Sequence, residues 1–388
     1  MLTTWLTYAH GNYRGDAMGK RKQIDEHYTL KPILKEGAHY NLIFGERSNG
    51  KTYSVLSYII EQYATRGEQG ALLRRMQEDF TGKRGSSLFN PLTENGEISR
   101  VTNGEYDSVY YYASRWYFCR YEETKSGLTR VMDKDPFMYA FALSQTEHDK
   151  GNGYPRVTTI MFDEFITRFG YMRDEFILFM NTLSTIIRDR DNVKIFMLGN
   201  TVNKYCPYFD EMGLRHIKDM KQGEIDIYQL KHASGKVLKV AVEYCKPFTK
   251  GKASDFYFAF DNQKLEMITT GIWEIDIYPH CPYRYKPKDI IFTYFIEFDR
   301  NLLQCEIVMI DNVSFTFIHR KTTPLKDPDN ELIYSTRYDP RPNWRRKITK
   351  PILPMENMIV NYYKNDKVFY QDNEVGEIIR NYLIWCNK

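Results

Sequence analysis

Apolar residues along the first half of the chain follow two spacings that alternate with each other. Short apolar runs predict buried strands at Tyr40–Phe44, Gly70–Leu73, Phe137–Leu143, Val157–Phe162 and Val193–Leu198. Between these runs, helical spacing of apolar residues predicts one helix from Lys51 to about Thr65 and a long one from about Asp174 to Asp189. Because strands that alternate with helices form parallel sheets, we expect an α/β domain over residues 39–203.

Three segments depart from this alternation. Residues 82–135 are rich in turns and carry two short aromatic strands, predicted at Ser108–Ala113 and Arg115–Tyr121, which indicates an insertion into the α/β domain. Residues 204–250 are mixed and charged and predict a connector. Residues 1–38 form a polar lead-in with a basic cluster at its centre, Lys20-Arg21-Lys22.

The last third of the chain, residues 251–388, changes to consecutive strands followed by one helix. The elements are predicted at Phe256–Phe260, Leu265–Thr269, Ile291–Phe298, Leu302–Ile310, Val313–Ile318 and Asn373–Cys386. This order predicts a second, smaller α+β domain.

Composition describes an ordinary globular protein and argues against several classes. Of the 388 residues 42% are hydrophobic, and the net charge is only +4, so a polyanion would be bound by local basic patches rather than by the whole surface. The six cysteines are far apart and include no C-x-x-C pair, which argues against a zinc site or a disulfide framework. Neither a signal peptide nor a membrane-spanning apolar run is recognisable, so we expect a soluble intracellular protein without a membrane partner.

Eight consecutive residues match the P-loop pattern G-x-x-x-x-G-K-[ST]. They are Gly45, Glu46, Arg47, Ser48, Asn49, Gly50, Lys51 and Thr52. A predicted strand precedes them and a predicted helix follows, so backbone N–H groups and the helix dipole would bind phosphate. Lys51 would hold the β- and γ-phosphates, and the Thr52 hydroxyl would ligate Mg²⁺. The alternative is an ordinary strand–turn–helix corner; the pattern favours ATP binding.

A second motif ends the predicted strand Val157–Phe162. Asp163 follows it directly and is placed to hold Mg²⁺, and Glu164 is placed to orient a water molecule that attacks the γ-phosphate. P-loop kinases usually lack that second acid. An Asp-Glu pair alone is usually a solvated strand end, but in one domain with a P-loop it predicts ATP hydrolysis. The separation of Lys51 and Asp163 leaves room for an added central strand, as in P-loop NTPases of the ASCE (RecA-like) branch.

Two further groups of residues are candidates for catalysis and coupling. Arg188 and Arg190 close the long predicted helix. They either complement the helix dipole or supply an arginine finger to a neighbouring subunit, with Arg188 favoured. Asn200 and Thr201 follow the predicted strand Val193–Leu198, where a polar side chain would sense the γ-phosphate.

These motifs, in this order, resemble the DNA-packaging ATPases of tailed bacteriophages, and most closely the small phi29-like type. The resemblance rests on Gly45–Thr52 with its internal Arg47, Arg74-Arg75, Tyr154–Ile166, Arg188–Arg190, Leu198–Asn200 and Asn203–Phe209. It covers roughly residues 40–210 well and the C-terminal domain only in outline.

The resemblance implies a homo-oligomeric ring, expected to be a pentamer, that binds the portal of an empty prohead. ATP hydrolysis with Mg²⁺ at subunit interfaces would drive double-stranded viral DNA through the ring, and a structural packaging RNA is left open as a further partner. The protein would act in the host cytoplasm, transiently at the portal vertex, and would not stay in the mature virion. Lys150 would be a second cation that acts on the neighbour's nucleotide.

Two basic segments are candidates for DNA contacts. Lys83 and Arg84 lie in Thr81–Ser87, which we predict to be a flexible pore loop; a solvated surface loop is the alternative. Arg345 and Arg346 belong to a patch in which six basic residues stand against the single acid Asp339. The patch members are Arg337, Arg341, Arg345, Arg346, Lys347 and Lys350.

In large terminases the C-terminal domain is an RNase H-like nuclease that needs clustered carboxylates. Glu297, Asp299 and Asp311 lie in suitable strands but do not make a convincing metal triad. We therefore interpret this domain as a vestigial nuclease that binds nucleic acid or the portal. The alternatives are a terminase with an active nuclease, a P-loop phosphotransferase that acts on a small molecule, and a nucleotide-gated scaffold without turnover.

Overall fold

The computed structural model describes residues 28–387 apart from 126, 146–152, 169, 232–234, 247–266 and 268–269. The predicted strand Phe256–Phe260, most of Leu265–Thr269 and the basic cluster at Lys20 lie outside the described residues. Within the described part, the secondary structure forms two sheets, each covered by helices. No helix there is long and apolar enough to cross a membrane.

The larger sheet contains ten strands within the described residues. They are β1 (Tyr40–Gly45), β2 (Gln69–Arg74), β3 (Ser108–Tyr112), β4 (Arg115–Thr124), β5 (Gly127–Met132), β6 (Met138–Ala142), β7 (Val157–Asp163), β8 (Lys194–Asn200), β9 (Ile225–Lys231) and β10 (Val237–Tyr244). The helices of this unit are α1 (Lys31–Lys35), α2 (Lys51–Arg66), α3 (Lys83–Ser86), α4 (Asn90–Glu94), α5 (Glu97–Val101), α6 (Glu175–Ile187) and α7 (Pro207–Glu211), with a 3₁₀ turn at Gln77–Phe80.

The strand order places the predicted nucleotide motifs at one edge of the sheet. The order is β3-β4-β6-β2-β7-β8-β1-β10-β9, and the strands from β6 to β10 in this row run parallel. Strand β8 therefore lies between β1, which leads into the P-loop, and β7, which ends in Asp163. This is the added central strand that the sequence predicts, and the α/β fold is confirmed.

The apolar runs are explained by burial on both faces of the sheet. Every residue of β1 and of β7 is buried, as parallel strands covered by helices require. Leu42 and Phe44 face one apolar cluster, whereas Ile43 faces the other, where Val55 and Ile59 of α2 pack. The helical spacing after the P-loop thus reflects the face of α2 that covers the sheet.

Residues 204–250 differ from our prediction of a connector. Strand β10 pairs in parallel with β1, next to the P-loop strand, and β9 pairs antiparallel with β10 at the edge. The segment therefore completes the nucleotide-binding sheet. On the opposite side, β3, β4 and β5 of the predicted insertion extend the sheet through the pairing of β4 with β6.

The smaller sheet belongs to the C-terminal part of the chain. Its strands are β11 (Ile290–Phe298), β12 (Asn301–Ile310), β13 (Val313–Arg320), β14 (Ile333–Ser335), β15 (Trp344–Arg345) and β16 (Val368–Tyr370). Two helices, α8 (Pro354–Lys364) and α9 (Asn373–Cys386), contribute to its core. The strand order is β15-β14-β11-β12-β13-β16, with β11 to β13 antiparallel and β14 parallel to β11.

Candidate active site

The P-loop connects β1 to α2 through backbone conformations that depend on glycine. Gly50 has a φ of 93° and caps the N-terminus of α2, and Ser48 also has a positive φ of 58°. A side chain at Gly45 would place its Cβ 2.9 Å from the Cβ of Cys245. Burial raises the pKa of the Cys245 thiol to about 12, so this residue stays protonated beneath the loop. The loop therefore lies tightly against β10 with its open side at the start of α2.

Lys51 is buried, and three oxygen atoms hold its ammonium group within the loop. Its Nζ donates to the carbonyl of Glu46 at 2.7 Å, to Oδ1 of Asn49 at 3.1 Å and to Oδ1 of Asn200 at 3.3 Å. Asn200 ends β8, so this contact connects the P-loop to the central strand. The position fits the role predicted for Lys51, because the cation lies at the helix N-terminus where phosphates bind.

The predicted Mg²⁺ ligands lie together. The Thr52 hydroxyl donates to Oδ1 of Asp163 at 3.3 Å, close to the spacing of about 3 Å expected for two neighbouring oxygens around one Mg²⁺. Oδ2 of Asp163 accepts a hydrogen bond from Arg74 at 2.9 Å. The hard oxygen donors fit Mg²⁺, and Arg74 fixes the carboxylate from the opposite side.

Glu164 follows β7 in a left-handed conformation with a φ of 59° and is exposed. Arg75 stabilises this turn: it donates to the carbonyl of Glu164 and, at 2.6 Å, to that of Phe165. Arg75 also pairs with the buried Glu175 at 3.0 Å. The turn therefore presents the Glu164 side chain at the carboxyl edge of the sheet.

These side chains line one open cleft of about 280 Å³. Its lining residues are Ser48, Asn49, Gly50, Lys51, Thr52, Tyr53, Asp163, Glu164, Leu198, Gly199 and Asn200. The cleft combines the Lys51 cation, three hydroxyls, two carboxylates and two amides, and so contains the kinds of group that phosphoryl transfer to water uses. The catalytic roles of the individual residues stay predictions.

Thr201 differs from the prediction of a sensor that contacts the γ-phosphate. It is buried, its hydroxyl donates to the carbonyl of Gly271 at 2.9 Å, and its N–H donates to the carbonyl of Gly45 at 3.2 Å. The polar side chain of this pair that lines the cleft is Asn200. Thr201 instead connects the P-loop to a later segment of the chain.

Arg188 and Arg190 have different environments, although they are two residues apart. Arg190 has a structural environment, because its guanidinium donates to five backbone carbonyls at 2.6–3.2 Å. These belong to Tyr154, Pro155, Val157, Ile186 and Ile187. Arg188 is exposed and caps α6 with a φ of 51°. Because α6 runs back from the cleft edge, Arg188 lies near the amino end of β8. Lys150 lies outside the described residues.

The two predicted DNA-binding segments are more ordered and less positive than expected. Lys83 and Arg84 begin the short helix α3 rather than a flexible loop, and Trp116 anchors this helix by donating to the carbonyl of Gly85 at 2.8 Å. Arg84 lies 3.8 Å from Asp79.

In the C-terminal patch, Arg337, Arg341 and Arg345 pair with carboxylates of Glu297, Asp329, Asp339 and Glu356. Arg345 thus forms an ion pair with the buried Glu356, which makes its side chain less available for a DNA contact than the sequence predicts. Arg346 and Lys347 lie over the ring of Trp385.

Two of the three acids considered for a nuclease are paired with basic side chains. Glu297 accepts from Ser335 at 2.8 Å and pairs with Arg337 at 2.9 Å. Asp299 pairs with Lys218, and Asp311 lies in the turn after β12. Within the described residues no group of His, Cys, Asp and Glu side chains is arranged to hold a metal ion.

Sequence reasoning missed the segment Gly271–Tyr278, which contacts the P-loop. Glu274 pairs with Arg47 at 3.4 Å, and its N–H donates to the carbonyl of Thr201 at 2.8 Å. Position 271 needs a glycine, because its φ is 71° and a Cβ there would lie 2.7 Å from the Glu46 backbone nitrogen. The run Gly271-Ile272-Trp273-Glu274 matches no known motif, so the sequence offered no clear signal for this segment.

Comparison with known proteins places the chain among phage packaging proteins. A family model described as Podovirus DNA encapsidation protein (Gp16) matches residues 24–222. The DNA packaging protein of Bacillus phage B103 is 29% identical over 177 residues, which are 45% of this chain and 48% of that protein. The corresponding protein of Bacillus phage phi29 is 28% identical over 185 residues, 47% of this chain and 48% of that protein. The match thus spans about half the length of these curated relatives.

Two solved structures share the fold over most of the chain. The Phi-28 gp11 DNA packaging motor superposes with a TM-score of 0.50 and 19% identity over 94% of this chain and 98% of that chain. The bacteriophage Phi-29 viral genome packaging motor assembly gives a TM-score of 0.51 and 20% identity over 92% and 96%.

Proposed function

The chain belongs to the Podovirus DNA encapsidation protein (Gp16) family, as its motifs predicted, and we propose that it is an ATP-driven motor that translocates double-stranded viral DNA into a preformed prohead. The observation that carries this proposal is the cleft at the carboxyl edge of the large sheet. There Lys51, Thr52, Asp163 and Glu164 meet across the central strand β8.

The residues of the cleft have different proposed roles in ATP hydrolysis. The P-loop N–H groups and Lys51 bind and orient the triphosphate, and Thr52 with Asp163 would hold Mg²⁺. The bound metal ion would neutralise charge on the phosphate oxygens. Glu164 orients the attacking water and accepts its proton, and the turn fixed by Arg75 keeps that carboxylate at the cleft edge.

The position of Arg188 supports hydrolysis at subunit interfaces. Strand β8 has seven residues, so Arg188, near its amino end, is separated from its own cleft by roughly 20 Å. An exposed arginine at that place reaches a nucleotide only on a neighbouring subunit. We therefore propose a homo-oligomeric ring, a pentamer in the simplest case, in which Arg188 completes the neighbour's site, with Lys150 as a second cation.

DNA and the portal are the partners that this motor requires. A groove of about 680 Å³ brings Arg173 of the large unit together with Arg346, Lys347 and Lys350 of the small one. A phosphate backbone fits such a basic groove, with Lys83 and Arg84 of α3 as a second candidate contact. The site of action would be the portal vertex of the prohead in the host, with a packaging RNA as an additional candidate partner.

Free phosphate release by the purified full-length chain tests the proposal. Lys51→Ala removes the phosphate-binding cation and should abolish ATP binding. Glu164→Gln keeps the shape of the side chain but not its basicity, so it should bind ATP with near-normal affinity and lose about 10²-fold or more in hydrolysis rate. Double-stranded DNA should stimulate the wild-type rate.

The control variant is Arg100→Gln, which removes an exposed ion pair with Glu97; neither residue lines the cleft, so both properties should be unchanged. Phosphate transferred to an acceptor instead of released would identify a phosphotransferase. Unchanged turnover in Glu164→Gln would contradict the proposed role of this acid. Metal-dependent nicking of DNA that is lost in Glu297→Gln would identify a terminase with an active nuclease.

A further inference from the structure

One buried arginine joins the segment after β7 to three other parts of the molecule. The Arg168 side chain is only 11% exposed. One of its amino groups, Nη1, donates to the carbonyls of Val202 at 2.7 Å and Glu274 at 3.2 Å. The other, Nη2, pairs with Asp276 at 2.6 Å and with Glu377 at 3.3 Å. The planar guanidinium thus bridges the loop after β8, the segment Gly271–Tyr278 and helix α9.

The segment Gly271–Tyr278, which we name the strap, contacts the nucleotide site at its first end. Thr201 exchanges two hydrogen bonds with it, one from its hydroxyl to Gly271 and one from the Glu274 N–H to its carbonyl. Glu274 also pairs with Arg47 of the P-loop. Asn200 contacts Lys51, and Thr201 directly follows Asn200. A shift of Asn200 would therefore move Thr201 and, through its two hydrogen bonds, the strap.

The second end of the strap is fixed to helix α9. The Tyr278 hydroxyl donates to Glu377 at 2.8 Å, and the Tyr278 N–H donates to Asn373 at 3.0 Å. The ring of Tyr278 lies so close to Gly376 that a Cβ at this position would be 2.2 Å from it. A residue larger than glycine would separate the strap from the helix.

Helix α9 also contacts both loops of the nucleotide site directly. Arg380 donates to the carbonyl of Arg168 at 2.7 Å, and Asn203 donates to Asn381 at 2.9 Å. The face of α9 that carries Glu377 and Asn381 is therefore held by the ends of β7 and β8, whose neighbouring residues Glu164 and Asn200 line the cleft.

We propose that Arg168 is a positioning residue that transmits the state of the nucleotide to helix α9 and hence to the C-terminal unit. The inference rests on the proposed function, since it assigns a route by which the same cleft moves the rest of the molecule. The guanidinium contacts two carbonyls and two carboxylates at once, and a lysine ammonium, which has three donors and no planar fork, cannot reproduce all four contacts. In a buried network of this kind, displacement of one carbonyl breaks contacts rather than stretching them. Movement of the loop after β8 therefore changes the position of helix α9.

Hydrogen exchange on the full-length chain, with and without the analogue ATP-γ-S, tests this route. In the wild type, analogue binding should change the protection of amides in Asn373–Cys386. Arg168→Lys keeps the positive charge but loses the fork, so it should bind the analogue and retain basal ATP hydrolysis while this response disappears. DNA stimulation of its hydrolysis should fall about 5-fold or more, a typical size for coupling between sites. Glu377→Gln, which removes one partner without changing shape, should give the same pattern if Arg168→Lys folds poorly.

The matched control is again Arg100→Gln, whose ion pair is 56% exposed on the arginine side; its α9 amides should respond as in the wild type. A normal α9 response in both Arg168→Lys and Glu377→Gln would overturn the proposal. So would a wild type that binds the analogue without any change in α9. A wild type that fails to bind or hydrolyse ATP would instead refute the proposed function, so the two failures are distinguishable.

Discussion

Gly271 is the residue at which the strap meets the P-loop, and its requirement for glycine has two separable causes. Its φ of 71° is unfavourable for any side chain, and a Cβ would also contact the backbone of Glu46 at 2.7 Å. Gly213 has a similar φ of 68° but nothing within 4 Å of a Cβ. The two glycines therefore separate backbone strain from steric conflict.

We expect Gly213→Ala to cost about 1 kcal/mol of unfolding free energy, because only left-handed strain is added. Gly271→Ala should cost about 2–3 kcal/mol, since overpacking is added to the same strain. It should also weaken ATP binding, because the displaced Glu46 carbonyl is an acceptor of Lys51. Urea unfolding and nucleotide titration of both variants provide the measurement. Equal losses in the two variants would show that the close contact at position 271 is relieved at no cost.

Residue identity predicted the cleft well and the contacts around it poorly. Local motifs predicted that Lys51, Thr52, Asp163 and Glu164 lie together, and they line one cleft because the fold brings the carboxyl ends of neighbouring parallel strands together. Arg47 and Glu274, by contrast, are 227 residues apart, and no short pattern connects them. The same holds for Arg190, which the sequence could not separate from Arg188 because its carbonyl partners come from another loop.

At the scale of elements, periodicity predicted most of the strands that are buried on both faces. It missed β9, an edge strand with mixed polar and apolar residues and half-exposed positions. It also missed β10, which is buried from Val240 to Tyr244 but carries Lys239 and Glu243 among its apolar residues. Edge strands lack the continuous apolar run that marks a parallel core strand. In the smaller sheet, β12 and β13 carry a partly buried polar pair, for which we expect a pH dependence.

His319 of β13 and Glu306 of β12 form that pair at 3.4 Å. The hydrogen bond to Glu306 raises the pKa of His319 above 6.5. Burial alone would raise the pKa of Glu306, but hydrogen bonds from His319, Tyr285 and Gln304 outweigh it and lower this pKa. The folded-state pKa of the histidine is raised, so its contribution is complete below pH 6.5 and is lost as the pH rises through the raised value.

We therefore expect His319→Gln to lower the free energy of unfolding of the smaller unit by about 1 kcal/mol at pH 6, and by less at pH 9, because the contribution of the charged histidine is lost as the pH rises through its raised pKa. Thermal unfolding of wild type and variant at both values measures the difference. His216→Gln serves as the control, since its pair with Asp226 is exposed and is screened by solvent; its effect should be smaller at both pH values. A constant difference between pH 6 and pH 9 for His319→Gln would exclude a titrating pair.

At the scale of the whole molecule, the two units share one network of contacts around Arg168, while Arg188, the arginine proposed for catalysis, is exposed at the C-terminal end of α6. The vestigial nuclease interpretation of the C-terminal unit stays a prediction. Glu297, one of the acids considered for a nuclease, pairs with Arg337 and accepts a hydrogen bond from Ser335 of β14.

Mixed rings test whether Arg188 acts on a neighbour. Arg188→Ala should assemble and bind ATP normally, since the side chain is exposed and lies away from its own cleft, but should lose about 10³-fold in hydrolysis, the size typical of an arginine finger. Glu164→Gln should be inactive for the opposite reason, because its own cleft is defective. Mixing the two inactive chains creates interfaces in which an intact Glu164 cleft receives an intact Arg188, so ATP hydrolysis should reappear.

Arg190→Ala is the matched control. In the described contacts the Arg190 guanidinium binds only backbone carbonyls, so its loss should reduce stability. A mixture of Arg190→Ala with Arg188→Ala should show no more ATP hydrolysis than the sum of the two chains measured separately. If the mixture of Arg188→Ala and Glu164→Gln forms rings but does not hydrolyse ATP, Arg188 does not act on the nucleotide of the neighbouring subunit.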